Sequence, residues 1–567
     1  MYRTHNCGEL CKKDIGKEVV LSGWIQKKRN LGSLCFIDIR DYFGITQLIF
    51  SKNLIEKFFL GKEFLIKIQG KVVERISKNN NIPTGEIEIS VSQIEILNSS
   101  LPTPFTIENQ TDGNEEIRMK YRYLDIRRNP IKNNLIIRHN LALEIRNFLS
   151  QNGFLEIETP VLINYTPEGA RSFVVPSRTH VGKFYALAQS PQLFKQLLMI
   201  GGIDKYFQIV KCFRDEDARS DRQIEFTQID CEMSFVEVDD VLIFFENFIK
   251  HLFRRIKNIQ LESFPCISYS DAMKMYGTDS PDIRFGMPFI ELNNLVQKKN
   301  ISFLKEQELI IGIKVPKCHK NHDQMNSLFK KIENPNIFWI QYLSNKTLLS
   351  SNPDFFSEEI ITIFINHFQA VPGDLLFISY GKRKNTRKTL GKVRLEIANH
   401  LNLKNSKIFK PLWVTDLPLL EWDERSKRYK SVHHPFTSPK KEDIHLLEKY
   451  PENIRSQSYD LIINGIEIGS GSIRIHNQNI QNLIFKHLGL SAKEIESEFG
   501  FFIKSFEYGT PPHGGIAFGL DRLINLLEGN DDIKNFIAFP KSNYGEDLMT
   551  KAPSFLKKEK LKELHLR

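Results

Sequence analysis

No apolar run in the sequence is long enough to cross a bilayer. The N-terminus, Met1-Tyr2-Arg3-Thr4-His5-Asn6-Cys7, has no apolar signal core. A cytoplasmic protein with no membrane partner is therefore expected. Cysteine is sparse: seven residues, an odd number, scattered without repeated Cys-x-x-Cys pairs. That argues against a disulfide scaffold and suits reduced thiols. Cys318-His319 with His322 has a faintly metal-like spacing, but no second ligand pair follows it. A Rossmann Gly-x-Gly-x-x-Gly and a Walker lysine motif are both missing, so a bound nucleotide would need another cradle. Acidic residues fall short of basic ones, 68 against 78, which leaves a net charge of +10. Such a surplus suits a polyanionic partner, because phosphate contacts by Lys and Arg release counterions; a Lys-rich surface gives the same number.

What is present is a chain of 567 residues, 41% hydrophobic and 26% charged. That composition is ordinary for a globular protein, and the length calls for several domains. Residues 1–104 read as about five short strands, a small barrel of OB type. Alternation puts Cys35, Ile37 and Ile39 on one face and Phe36, Asp38 and Arg40 on the other. An aromatic on a polar strand face is a candidate platform for an unpaired base, and Lys27-Lys28-Arg29 could track a backbone. Glu86 and Glu88 face away from Ile87 and Ile89, where a carboxylate can accept from base N–H donors. Around Leu101-Pro102-Thr103-Pro104 the pattern breaks, and the polar stretch 105–130 reads as a hinge.

The remainder is organised around Tyr206–Asp230, a strand, a charged loop and a second strand. Arg214, Glu216, Arg219, Arg222 and Gln223 crowd beside Phe213 and Phe226. A solvated hairpin tip explains some of that charge; arginines set for a polyphosphate, with an aromatic wall for a base, explain more. Upstream, Leu141, Ile145, Phe148 and Leu149 recur at helical spacing, and a strand follows from Phe154 to Pro160. Thr166–Arg171 reads as a mobile loop pivoting at Gly169, and Gln189–Leu198 as a helix capped by Ser190 with Pro191 in first position. Downstream, His433-His434 could be an acid–base pair, metal ligands or packing. A hairpin turning at Asn464-Gly465 runs into Gly469-Ser470-Gly471-Ser472, and Gly514–Leu523 reads as strand, turn and helix.

The Phe213-Arg214-Asp215-Glu216 run resembles motif 2 of class II aminoacyl-tRNA synthetases. The helix and strand ending at Pro160 resemble motif 1, and Gly514–Leu523 resembles motif 3. In that order, and with Gln189-Ser190-Pro191-Gln192-Leu193-Phe194-Lys195, the chain is similar nearly end to end to the bacterial-type aspartyl-tRNA synthetases of subclass IIb. The resemblance implies an α+β multidomain fold. Its parts would be an OB-fold anticodon-binding domain (1–104), a hinge (105–130), a catalytic domain on an antiparallel sheet flanked by helices (131–285 and 415–555), an inserted α/β domain (286–414) and a tail (556–567). Motif 1 would form a homodimer.

The same resemblance assigns residues. Arg214, Glu467 and Arg522 would be catalytic. Glu168, Gln192, Lys195, Arg214, Asp230, His433 and Arg474 would bind L-aspartate. ATP would meet Arg214, Asp215, Glu216, Arg219, Gln223, Phe226, His434, Glu467, Gly519, Leu520, Asp521 and Arg522, and Mg²⁺ would sit on Asp460 and Glu467. Arg29, Phe36, Gln47 and Glu88 would read the anticodon of tRNA(Asp). The implied reaction is attack of the aspartate α-carboxylate on the ATP α-phosphate, then transfer to the tRNA 3′ end. In this frame Arg474→Leu abolishes aspartate activation and leaves the fold intact. A sibling ligase for asparagine or lysine, or a non-catalytic RNA-binding paralogue, remains open. The family more often has a third glycine where this chain has Ser470.

Overall fold

The computed structural model describes residues 1–32, 34–166, 170–316, 329–332, 334–351 and 356–566. The chain packs as two compact units, Met1–Ile136 with Lys534–Ser554, and Ile137–Ile533 with Phe555–Arg567.

In the first unit, β1 (Glu18–Leu31), β2 (Leu34–Arg40), β3 (Ile45–Ser51), β4 (Leu65–Glu74) and β5 (Ile87–Asn98) close into a barrel of order β1-β2-β3-β5-β4. This is the OB fold. Alternation explains its core: Cys35, Ile37 and Ile39 point in with Val19, Leu21, Leu48 and Ile68, all buried. Arg40 departs from the expected polar face. It is buried and pairs at 2.8 Å with the buried Glu63. Glu63 also accepts from Arg127 at 2.9 Å, and that guanidinium lies over the Trp24 ring. The expected hinge, 105–130, carries helices at Glu115–Lys120 and Arg122–Asp125. Buried Asp125 accepts from Arg122 (2.7 Å) and Arg128 (2.6 Å). Arg122 also donates to the carbonyls of Lys534, Ile537 and Ala538, which ties 534–554 into this unit. Charge, not apolar periodicity, orders the stretch.

Helix α1 (Asn129–Gln151) buries Leu141, Ile145 and Leu149 and ends before Gly153, whose φ of +83° is the left-handed conformation glycine supplies. In the second unit it is followed by β6 (Leu155–Glu156), α2 (Gln192–Ile200), β7 (Lys205–Phe213), β8 (Glu225–Ser234), α3 (Val238–Lys257) and β9 (Cys266–Ser268). Only Leu155 and Glu156 of the expected Phe154–Pro160 strand join the sheet, parallel to β7 at its edge. Helix α2 begins one residue later than expected: Pro191 is its N-cap residue, and no side chain caps it.

Residues 290–381 contribute a second, antiparallel sheet: β10 (Ile290–Glu291), β11 (Leu309–Val315), β12 (Ile337–Tyr342), β13 (Leu348–Ser350) and β14 (Leu375–Gly381), in the order β10-β11-β14-β12-β13. Helix α4 (Arg383–His400) packs Leu390, Val393 and Ile397 into one of its two apolar clusters. The main sheet is completed by β15 (Pro411–Thr415), β16 (Ser458–Ile463), β17 (Ile466–Ile473) and β18 (His513–Gly519), followed by α5 (Leu520–Glu528). Its order is β9-β15-β16-β17-β18-β8-β7-β6, antiparallel except at the two outer pairs, β9 with β15 and β7 with β6. The β16–β17 turn has Asn464 at φ +56° and Gly465 at φ +81°, as the Asn-Gly pair predicts. Cys318, His319 and His322 lie outside the described residues.

Arg394 fastens α4 to the segment that enters this second sheet. Its guanidinium donates to the carbonyls of Asp282, Gly286 and Met287 and lies between the Tyr276 and Phe285 rings. Burial depresses its pKa to about 10, still charged at neutral pH. Arg394→Leu should leave those carbonyls unpaired and cost about 3 kcal/mol or more. A lowered first thermal transition by calorimetry is the expected result; an unchanged one contradicts the role.

Candidate active site

One cavity of about 490 Å³ opens above the centre of the main sheet, lined from α2, the β7–β8 loop, β8, β16, β17, β18 and α5. Its deep end is ionic. Lys195, on α2, is 2% exposed, although a lysine on a mixed helix is normally solvated. Its ammonium meets Asp230 at 2.7 Å and Glu232 at 3.2 Å. Arg474, following β17, is also 2% exposed and donates from Nε (2.9 Å) and Nη2 (3.2 Å) to Glu232. Its Nη1 reaches Ser472 Oγ at 2.7 Å and His434 Nε2 at 2.5 Å. Asp230 and Glu232 are two residues apart on β8, so both project from one face of the sheet. The Glu232 carboxyl has no room for a neighbouring side chain: a Cβ at Gly515 would stand 2.0 Å from its Oε2.

The electrostatics follow from burial and pairing. Burial alone would raise the Glu232 carboxyl, but Arg474 and Lys195 bring it down to about 2. Burial raises Asp230 above the ordinary carboxylate range, and Lys195 only partly offsets it. Asp230 Oδ2 and Gln192 Nε2 are buried without a hydrogen-bond partner, and both residues line the cavity. Burial, then Arg474, holds the His434 imidazole well below its usual pKa. It is therefore neutral, with the Nε2 lone pair facing the guanidinium. Two cations and an unsatisfied carboxylate oxygen thus share one small space.

The outer end is aromatic and cationic. Arg214 lies over the Phe226 ring at 5.0 Å. Glu216, Gln223, Gly519 and Arg522 also line this end. Arg522 donates to the Glu467 carbonyl (3.1 Å) and to the Asp221 carboxylate (3.2 Å) at the tip of the loop between β7 and β8. Asp521, expected as a nucleotide contact, has both carboxylate oxygens engaged by protein. Oδ1 accepts from Arg138 at 2.5 Å and Oδ2 from the Thr227 amide at 2.9 Å. It braces α5 against β8. Leu520 is 2% exposed and packs in the core, Arg219 is exposed on the loop, and Asp215 pairs with Arg171 at 3.9 Å. Glu168 lies outside the described residues.

Between the two ends stand His433, Asp460, Glu467 and Ser470. Asp460 and Ser470 are directly opposed in β16 and β17. Ser470 Oγ donates to Asp460 Oδ1 at 2.6 Å, and His433 Nε2 lies 2.8 Å from Ser470 Oγ and 3.3 Å from the same carboxylate oxygen. Glu467 keeps water-accessible surface at the mouth of the cavity. The chain crowded around it still raises its carboxyl pKa by desolvation, with the Asp460 charge adding to the effect. Two neighbouring carboxylates, one exposed, are a donor set that suits a hard cation retaining waters and phosphate oxygens. Among the described residues no group of three or more His, Cys, Asp or Glu is placed to hold a metal ion.

In the barrel, Phe36 is half-buried and directly opposite Arg29 across β2 and β1. Gln47 and Glu88, expected at the surface, are buried. Gln47 donates to Glu88 at 2.6 Å, and Arg29 donates to Gln47 (3.0 Å) and Asp38 (2.9 Å). Burial raises Asp38 above the ordinary range and Arg29 partly offsets it. A base read by Gln47 or Glu88 has to displace these mutual contacts.

Fold and site together define a class II tRNA synthetase architecture, and the comparisons agree. A family profile described as tRNA synthetases class II (D, K and N) matches residues 114–543, and one described as OB-fold nucleic acid binding domain matches 19–97. Proteins named aspartate–tRNA ligase from Flavobacterium psychrophilum and Amoebophilus asiaticus are 52% and 51% identical, each over 100% of this chain and 99% of the relative. The chain belongs to the aspartate–tRNA ligase family of class II synthetases. The fold is shared with asparaginyl-tRNA synthetase from Pyrococcus horikoshii complexed with asparaginyl-adenylate (TM-score 0.59, 19% identity, 96% of this chain and 99% of that one). A putative aspartyl-tRNA synthetase from Leishmania major Friedlin also shares it (TM-score 0.59, 19% identity, 95% and 94%).

The depressed Glu232 carboxyl contributes stability that is fully present above its unfolded pKa, near 4.5, and is lost as pH falls through about 2. Glu232→Gln should therefore lower stability at pH 6 by about 3 kcal/mol, since two buried cations lose a counter-charge. The gap from wild type should narrow as pH drops from 4.5. Denaturant midpoints across that window check this; a gap independent of pH contradicts it.

Proposed function

We propose that the chain activates L-aspartate with ATP to aspartyl-adenylate and transfers the aspartyl group to the 3′ end of tRNA(Asp). The observation carrying this reading is the deep ionic end of the cavity. Lys195 and Arg474 offer positive charge for a side-chain carboxylate, while Asp230 Oδ2, left without a partner, suits an α-ammonium. Gln192 adds an unused amide donor. An acidic amino acid fits that charge pattern. Asparagine fits the shape but brings its ammonium without a side-chain anion, which sets Lys195, Arg474 and the ammonium against only Asp230 and Glu232, and such uncompensated buried charge costs several kcal/mol.

The chemistry follows from positions. The substrate carboxylate is already an anion, so no general base is required, and rate comes from alignment and charge stabilisation. Arg214, at the outer end, would reach inward to bridge the α-carboxylate and the ATP α-phosphate. Its seat on Phe226 keeps it in that plane. The base would enter between Phe226 and Arg522, with Gly519 permitting close approach and Glu216 and Gln223 contacting the nucleotide. For that, Arg522 must release Asp221. Asp460 and Glu467 would hold Mg²⁺, whose charge, when bound, offsets that of the phosphates. His433 would meet the bound aspartate from between the two ends, while His434, whose Nε2 faces Arg474 at the deep end, would wall the amino-acid side and not the phosphates expected for it. On the barrel, Phe36 would stack on an anticodon base beside Arg29, Gln47 and Glu88. The edge segment 154–160 would pair two chains as a homodimer. No helix among the described residues is long and apolar enough to cross a membrane, and a cytoplasmic location completes the proposal.

The test must respect the Glu232 pair. Arg474→Leu alone strips a counter-charge from a fully buried carboxylate, so loss of activity could reflect damage to the fold. Arg474→Met combined with Glu232→Gln removes both charges and keeps volume. Aspartate-dependent ATP–diphosphate exchange by that double variant should fall at least about 100-fold in kcat/KM, the scale of a lost buried charge contact. Its melting temperature should stay close to wild type. Near-normal exchange contradicts the assignment.

A further inference from the structure

The strand β17 carries two steric requirements with a hydroxyl between them. A Cβ at Gly469 would stand 2.4 Å from the Phe518 ring, and one at Gly471 would stand 2.2 Å from the Gly515 carbonyl oxygen. Those contacts lie on the face turned away from the cavity. Alternation sends Ser470 the other way, to the face it shares with Arg474, and both line the cavity. The tight backbone approach therefore belongs to Gly469 and Gly471, and the position between them is free to carry a side chain.

That side chain is placed between two others. Asp460 is the cross-strand partner of Ser470, and their hydrogen bond is 2.6 Å. His433 Nε2 is 2.8 Å from the same hydroxyl oxygen. A carboxylate only accepts, so the single serine proton goes to Asp460, and the oxygen lone pair is left to accept from His433 Nε2–H. The imidazole plane is then pinned at that edge. Without the hydroxyl, His433 and Asp460 keep only their 3.3 Å contact.

We propose that Ser470 is a positioning residue for amino-acid activation: its hydroxyl clasps His433 to Asp460 and so holds the imidazole against the amino-acid subsite. The inference rests on the function proposed above, in which His433 meets the bound aspartate. Ser470 touches neither substrate in this role and acts through its neighbours.

The test uses the full-length protein and four forms: wild type, Ser470→Ala and Ser470→Gly, which lack the hydroxyl, and Ser470→Thr, which retains it. ATP–diphosphate exchange is measured with aspartate and ATP titrated separately. Loss of the two half-buried hydrogen bonds of the clasp should raise KM for aspartate roughly tenfold in both the Ala and Gly variants, leave KM for ATP within about twofold, and be restored to within about threefold by Thr. The proposal is overturned by an unchanged aspartate KM in the Ala variant. It is equally overturned if both KM values rise together, or if only the Gly variant is impaired, since backbone loosening would then be the cause. Wild type without aspartate-dependent exchange removes the proposed function and this role with it. An active wild type with an unaltered Ala variant removes this role alone.

Discussion

Glu232 is the charge on which the site depends. Its carboxylate is fully buried, and it is kept ionised by Arg474 on one side and Lys195 on the other. A buried ion pair seldom adds net stability compared with apolar residues of the same volume. Its usefulness here is geometric. It fixes a long arginine and a long lysine, each rich in rotamers, at the bottom of one cavity before any ligand arrives. The cost of ordering those side chains is met during folding and does not recur at each binding event.

The elements around this network have matching constraints. Gly515 has no side chain because Glu232 occupies the space. His434 is neutral because a buried ring beside a guanidinium cannot hold a proton, so it accepts from Arg474 and does not repel it. At the outer end, Asp521 locks α5 to β8 through Arg138 and the Thr227 amide, which sets where Arg522 emerges. Arg522 itself is held by the loop carboxylate of Asp221. A rigid ionic floor and an outer wall closed by one exchangeable ion pair are thus built on the same central strands.

Much of this was legible in the residues. Alternation through Cys35, Ile37 and Ile39 located the barrel interior, the Asn464-Gly465 pair located a turn, and the charged run after Phe213 located the outer end of the cavity. What stayed hidden was the partnering of charge. Composition reads 105–130 as solvated, because a buried Asp125 with two arginines looks the same in one dimension as three exposed ions. Gln47 and Glu88 look like surface for the same reason. Glu232 left one usable signal: Asp230 and Glu232 at i and i+2 put two acids on one face of a strand otherwise filled by Ile229, Cys231 and Met233. Such a pair is intelligible only if cations from elsewhere in the chain meet it. Lys195 became legible as buried only through its motif, and Ser470 looked like a departure from a glycine-rich pattern until strand alternation showed which face it serves.

The most direct test of the central claim, that a preformed pair of buried cations with an unpartnered carboxylate selects the amino acid, is ATP–diphosphate exchange without tRNA. Aspartate, asparagine and lysine are run in parallel on the intact protein. Exchange with aspartate alone is the expected result, because only aspartate supplies both the anion for Lys195 and Arg474 and the ammonium for Asp230. Comparable exchange with asparagine would mean that the two cations are already neutralised within the protein and do not discriminate, which contradicts the account.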